Sequence, residues 1–217
     1  MRNIKILEMI NEGRIEELKN SLREEIYAET LNANKPPGAK RRYVAMKKYF
    51  TYTKSERDIL RYPCIVDFEG RPHTSFCNSF SLALTTEPCG TIQLYTGPSK
   101  YPDVTKLVSY DGEERVLDFN KIFALAKSQG YKLKKSELSA TGYKYLMLYE
   151  GAYYKLGLVD ATFSIIDDNE EAVVYHTPGK RAPITIKTNI GVCTIMPLYI
   201  EDEDLVAEDI IIIDVDI

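Results

Sequence analysis

The side chains best suited to covalent chemistry in these 217 residues are four cysteines and two histidines. A thiolate mechanism needs a base within hydrogen-bond reach. Cys77 and His73, four residues apart in a strand-like stretch, are the nearest candidate pair, and only an unusual register would let them meet. The other reading of Cys77 is a buried, inert thiol. Cys64, Cys77, Cys89 and Cys193 include no CxxC pair, and no secretory h-region is read before them. That pattern predicts reduced thiols in a cytoplasmic protein, without a zinc ribbon or a disulfide framework. Asp167-Asp168-Asn169-Glu170-Glu171 could offer oxygens to a hard cation. It lacks the glycine and spacing of a calcium loop and reads as a turn. No Walker A, Rossmann or zincin pattern occurs. The expectation is a non-enzymatic protein with no catalytic residues, no metal and no cofactor.

Non-covalent chemistry has more to draw on. Lys40, Arg41, Arg42, Lys47 and Lys48 form one basic cluster, and Lys127, Lys132, Lys134 and Lys135 form another. Both could neutralise the phosphates of duplex DNA without reading its sequence, and both could equally be solvated faces. The net charge of −4 conceals an uneven distribution, because eight of the 32 acids fall in the last 17 residues, which hold no base. The 28 bases elsewhere therefore face 24 acids, which leaves room for a basic surface. Sixteen tyrosines could stack on single-stranded bases, but Tyr143, Tyr145, Tyr153 and Tyr154 fall in expected elements and suit packing against a sheet.

The elements that would position these groups follow from periodicity. Ile15, Leu18, Leu22 and Ile26 predict an amphipathic helix over 14–29, and Tyr43, Met46 and Phe50 place the first basic cluster on a second helix, 40–49. Strand-like runs follow at 64–68 and 74–85, joined through Glu69-Gly70-Arg71-Pro72, with a further short strand at 91–95. Gly97-Pro98-Ser99-Lys100 and Asp111-Gly112 mark a boundary between two modules, 1–100 and 101–200. The second module reads as a strand ending near Leu117, a helix capped by Asp118, a strand at 143–149, a helix at 153–166 and strands at 172–176, 183–187 and 191–200. In the tail, 201–217, Glu201 to Asp204 suit solvent, and Ile210 to Val215 predict an added strand. No stretch reaches the roughly 20 apolar residues of a membrane span.

Three segments resemble the bacterial DNA sliding clamp, the β subunit of the replicative polymerase. Tyr101-Pro102-Asp103-Val104-Thr105-Lys106-Leu107-Val108 is similar to the linker between that family's last two domains. Ala182-Pro183-Ile184-Thr185-Ile186 with Val192-Cys193-Thr194-Ile195-Met196-Pro197-Leu198 is similar to its closing strands. Phe76 to Leu84 resembles the strand turn beside its peptide pocket, without the usual Asp-Gly, and lies too near the linker for a complete clamp domain. The resemblance covers about residues 100–200 well.

The resemblance implies an α+β fold of clamp-like modules, helices on one face of antiparallel sheets, with 119–129 and 153–166 as helices on the inner wall of a ring. It implies duplex DNA as a non-sequence-specific partner, contacted through the two basic clusters. It also implies replication or repair proteins carrying a short clamp-binding motif, and homo-oligomers. The peptide pocket carried over consists of Asn78, Phe80, Ser81 and Leu82 from the turn, Pro102, Lys106 and Leu107 from the linker, and Met196, Pro197 and Leu198 from the end. The alternative is an interaction module of the same fold that never encircles DNA.

Overall fold

The computed structural model describes residues 2–34, 38–52, 57–138, 144–179, 182–200 and 210–215. Three helices come first: α1 (Arg2–Asn11), α2 (Ile15–Asn34) and α3 (Ala39–Tyr52). Strands β1 (Cys64–Phe68), β2 (Arg71–Cys77) and β3 (Ser81–Thr85) follow, and a 3₁₀ turn at Val104–Leu107 leads to β4 (Glu113–Leu117) and α4 (Phe119–Ser128). The chain continues with β5 (Tyr145–Tyr149), β6 (Ala152–Lys155), α5 (Leu156–Ile166), β7 (Ala172–His176), β8 (Ile184–Thr188), β9 (Gly191–Ile195) and β10 (Ile211–Asp214).

Local chemistry explains most of the boundaries. Asp118 caps α4 by accepting the Lys121 amide at 3.1 Å. Glu69 and Gly70 both hold positive φ, as a two-residue hairpin turn requires, and close β1 onto β2. Glu150 and Gly151 repeat this device between β5 and β6. That second turn corrects the helix expected over 153–166, whose first three residues belong to β6. The run 74–85 is likewise two strands, broken at Asn78. No strand forms at 91–95, where the Ile92 amide turns back to the Cys89 carbonyl and Tyr95 bonds Pro63. The closing strand stops at Ile195, before Met196-Pro197, because proline has no ladder donor.

Seven strands form one antiparallel sheet in the order β1-β2-β3-β9-β8-β7-β4, and β10-β5-β6 make a second. The expected α+β class is what the chain adopts. The two expected modules share this larger sheet, because β3 of the first pairs with β9 of the second. The topology explains the join. Each half contains a helix followed by a three-strand meander, α3-β1-β2-β3 and α5-β7-β8-β9, and the two last strands meet antiparallel at a seam centred on Ala83 opposite Cys193. The register is that of a local two-fold axis.

Alternation along the seam separates the two faces of the sheet. Ala83, Cys193 and Ile195 point inward with Phe76, Val174 and Ile186, into the core shared with α3, α4, α5 and the small sheet. Leu82, Leu84 and Val192 point outward beneath Leu60 and Val104. Phe119 of α4 stacks on Phe163 of α5, centroids 4.4 Å apart. Burying one such ring contributes about 1.5–3 kcal/mol. β10 pairs parallel to β5 and buries Ile213, so the expected tail strand forms.

The apolar row of α2 does not face the core, since Ile15, Leu22 and Ile26 are exposed. Tyr27 alone among its described large side chains packs inward, edge-on to Tyr43 at 5.2 Å. Tyr143 and the acids Glu201 to Asp204 lie outside the described residues. No described helix is long and apolar enough to cross a membrane.

Candidate partner and nucleic-acid surfaces

The β2–β3 turn is built around Asn78. Its buried side-chain oxygen accepts the amides of Phe80 and Ser81, both at 2.7 Å, so the group expected to face a ligand braces the turn instead. Ser81 is also turned away from the outer surface. Its hydroxyl meets the Tyr49 hydroxyl of α3 at 3.0 Å on the helical side of the sheet. Leu82 lies beneath the outer surface as a buried floor.

The remaining members of the expected pocket lie on two other segments, the linker and the chain after β9. The Met196 amide donates to the Phe80 carbonyl at 2.9 Å, which fixes the chain end after β9 against the turn. From the linker, Val104 packs in the same cluster as Leu82. Leu107, at the end of the same 3₁₀ turn, is not part of that cluster. Phe80, Leu107 and Met196 are 41, 52 and 45% exposed. Pro102 and Lys106 are exposed at the linker surface, where Lys106 pairs with Asp103 at 3.3 Å. Pro197 and Leu198 are half-buried, and the Leu198 amide bonds the Tyr153 carbonyl.

The basic clusters divide more sharply. Arg42 is 1% exposed, pairs with Glu87 at 3.5 Å and donates to the Asp167 carbonyl at 3.1 Å. It is a core residue and cannot meet a phosphate, because α3 must bury that face against α5. Arg41 is half-exposed and bonds Asp167 at 2.5 Å and Asn169 at 2.8 Å. Lys40, Lys48, Lys127, Lys132, Lys134 and Lys135 are exposed, and Lys47 is half-buried.

Three of these cations meet. Arg41 and Lys48 of α3 and Lys127 of α4 line a cleft of about 310 Å³ whose floor includes Asp160 of α5. The structure does not bring Lys40, Lys47, Lys132, Lys134 or Lys135 into its lining. Burial pushes the Asp160 carboxyl up, against the hydroxyls of Tyr131 and Ser164 and the charges of Lys127 and Lys48, which pull it down. Sequence reasoning passed over Asp160 and Tyr131. The one legible sign was Asp160 and Ser164, four apart on a helix that is otherwise apolar except for Thr162. The helix expected on an inner wall, α5, is itself almost wholly buried, and of its side chains only Asp160 and Ser164 reach the intermediate range.

The candidate thiol pair weighed above does not assemble. His73 and Cys77 share the outer face of β2, and four residues at the strand rise separate them by about 13 Å. Burial pushes the Cys77 thiol up to about 12, so the nucleophilic thiolate is scarce. Asp167 and Asp168 serve the turn and its neighbours, accepting the amides of Asn169, Glu170 and Asn189. Among the described residues no group of three or more His, Cys, Asp or Glu side chains is placed to hold a metal ion. No family model, curated protein or solved structure matches the chain.

Proposed function

We propose that this chain is a non-enzymatic, clamp-like docking protein of DNA replication or repair that receives short apolar peptide motifs at the Phe80–Met196 end of the seam. The observation that carries this reading is that the chain end after β9 bonds the Phe80 turn and that Val104 of the linker belongs to the same cluster as Leu82, while Phe80, Leu107 and Met196 stay exposed. Peptide-in-groove binding draws its affinity from a few apolar anchors, and such a cluster supplies their counterpart. The helix-and-meander repeat, helices on one side of a continuous sheet, also suits a clamp-like fold.

Duplex DNA is the second partner in this reading, lying against the cations of α3 and α4. Internal pairing narrows that surface, because Arg42 is buried and Arg41 is engaged by Asp167. This favours the form in which peptide docking dominates and DNA contact is weak. Fluorescence polarisation with a peptide carrying a clamp-binding motif tests the proposal. Met196→Ala and Leu107→Ala are each expected to weaken binding about ten-fold or more. Peptide affinity indifferent to both changes would sink the docking site. Duplex binding measured between 50 and 200 mM salt tests the second partner, which requires an affinity that falls with salt and falls again in Lys48→Ala/Lys127→Ala.

A further inference from the structure

The opposite end of the same seam holds a cavity. Thr85 there pairs with Gly191, and the Thr86 amide bonds the Ile190 carbonyl, far along β3 from the Phe80 turn. The β1–β2 hairpin, the β8–β9 turn and Tyr110 enclose about 280 Å³ on the outer face of the sheet. Phe68, Arg71, His73, Tyr110 and Lys187 are among its lining residues, with Glu69 at the rim. None of these residues was singled out as a binding group by the clamp resemblance.

His73 is the centre of the arrangement. It is only 7% exposed, and its ring stands edge-on to Phe68 at 5.5 Å. Nδ1 lies 3.0 Å from the Arg71 carbonyl, which can only accept, so Nδ1 carries the hydrogen. Nε2 is left as the nitrogen with capacity for a ligand, an acceptor in the neutral ring and a donor in the protonated one.

Two cations flank this ring. Lys187 sits 4.7 Å above the Tyr110 ring and 3.9 Å from Glu69, while the Tyr110 hydroxyl donates to Glu69 at 2.9 Å. The single acid at the rim is thus already engaged. Arg71 has no ion pair among the described residues, and its guanidinium is exposed beside the cavity. Its fork suits a carboxylate or phosphate, which it can hold through two parallel hydrogen bonds. The rings of Phe68 and Tyr110 offer apolar walls to the body of the same molecule. From outside, Asp168 and Glu170 fix the β8–β9 turn through the amide and side chain of Asn189, so this wall is formed before any ligand arrives.

We propose that this cavity binds a small organic anion, a carboxylate or phosphate monoester on a planar apolar body, with Arg71 and His73 taking the charged end and Phe68 and Tyr110 the ring. A volume of about 280 Å³, just below the usual range for small-molecule sites, suits such a ligand and excludes a folded partner. The two sources of charge are separable with simple probes.

Benzoate, phenyl phosphate and the neutral benzamide are titrated into the full chain, followed by calorimetry and by amide shifts of Arg71, His73 and Ile190. Benzoate, phenyl phosphate or both are expected to bind at millimolar concentration or better and to shift these amides, with benzamide at least ten-fold weaker. Arg71→Gln, at an exposed position, should cost about ten-fold or more, and Arg71→Lys should recover part of the loss. Binding of benzoate alone or phenyl phosphate alone identifies the charged group. Failure of both, or affinities unchanged in Arg71→Gln, overturns the site. The Met196 peptide assay in Arg71→Gln should be unchanged, which keeps this inference separate from the docking proposal.

Discussion

The two helix-and-meander units share an order of elements and a seam, yet they do opposite work. In the second unit α5 is apolar nearly all round, buried between the sheet and α3, and its first meander strand, β7, is covered by β4. In the first unit α3 packs on α5 and also meets α2 through Tyr43, leaving Val44 and Lys48 exposed, and β1 ends the sheet. The contrast shows how one topology can supply both a core and a surface. The unit enclosed on both sides fixes the geometry, while the unit on the outside leaves cations and open turns in solvent.

Substituting the same residue in the two helices tests this contrast most severely. Val159 of α5 is fully buried and Val44 of α3 is 41% exposed. Val159→Asp should cost about 4 kcal/mol or more, through an unpaired buried charge, and lose the cooperative urea transition. Val44→Asp should stay within about 1 kcal/mol. Equal losses would dissolve the distinction.

Arg42 is where the outer unit is anchored to the inner one, so it comes next. Removing one partner of a buried ion pair destabilises by about 3–5 kcal/mol, whereas replacing both with apolar groups is often neutral. Arg42→Met should therefore lower stability by about 3 kcal/mol, and Arg42→Met with Glu87→Leu should regain much of it in chemical denaturation. A purely surface role for Arg42 would give less than about 1 kcal/mol.

The cleft between the units predicts a smaller, pH-dependent effect. Burial raises the Asp160 carboxyl, so the folded chain holds this proton more tightly than the unfolded chain does. Its contribution to stability is present below the unfolded carboxylate range and is lost as pH rises through the raised folded value. Asp160→Asn should remove that component from the urea midpoint measured between pH 3 and 8. A midpoint curve identical in wild type and variant would mean that Asp160 ionises as it does in water.

Thiol chemistry gives the finest distinction. Cys64 on the open β1 edge is half-buried, whereas Cys77, Cys89 and Cys193 are buried. A disulfide reagent at pH 8 should modify Cys64 first and Cys193, wholly enclosed at the seam, only on unfolding. Mass mapping of the first modified peptide decides this.

Of the proposed pocket, the sequence made Leu82, Met196-Pro197 and the linker legible as segments. It did not tell that Asn78 and Ser81 look away from the outer surface. Asn78 satisfies two amides of its own turn, and the alternation of β3 sends Ser81 toward Tyr49. Arg42 was misleading for a similar reason. A helix reads as basic from its composition, but a long side chain can be buried if its charge finds Glu87 and a carbonyl, and both lie far away in sequence.

What the sequence determined by itself were the features fixed by near neighbours: the cap at Asp118, the Glu69-Gly70 turn, and the strand propensity of Ile210 to Val215. Each depends on backbone geometry within a few residues. Only the tertiary structure decided that β3 meets β9, that α5 is buried nearly all round and α3 on one side only, and that Arg71 and His73 share a cavity with Lys187. These pairings join residues about 110 apart. They are chosen by which faces can bury each other, a property of the assembled sheet and helices that local periodicity does not encode.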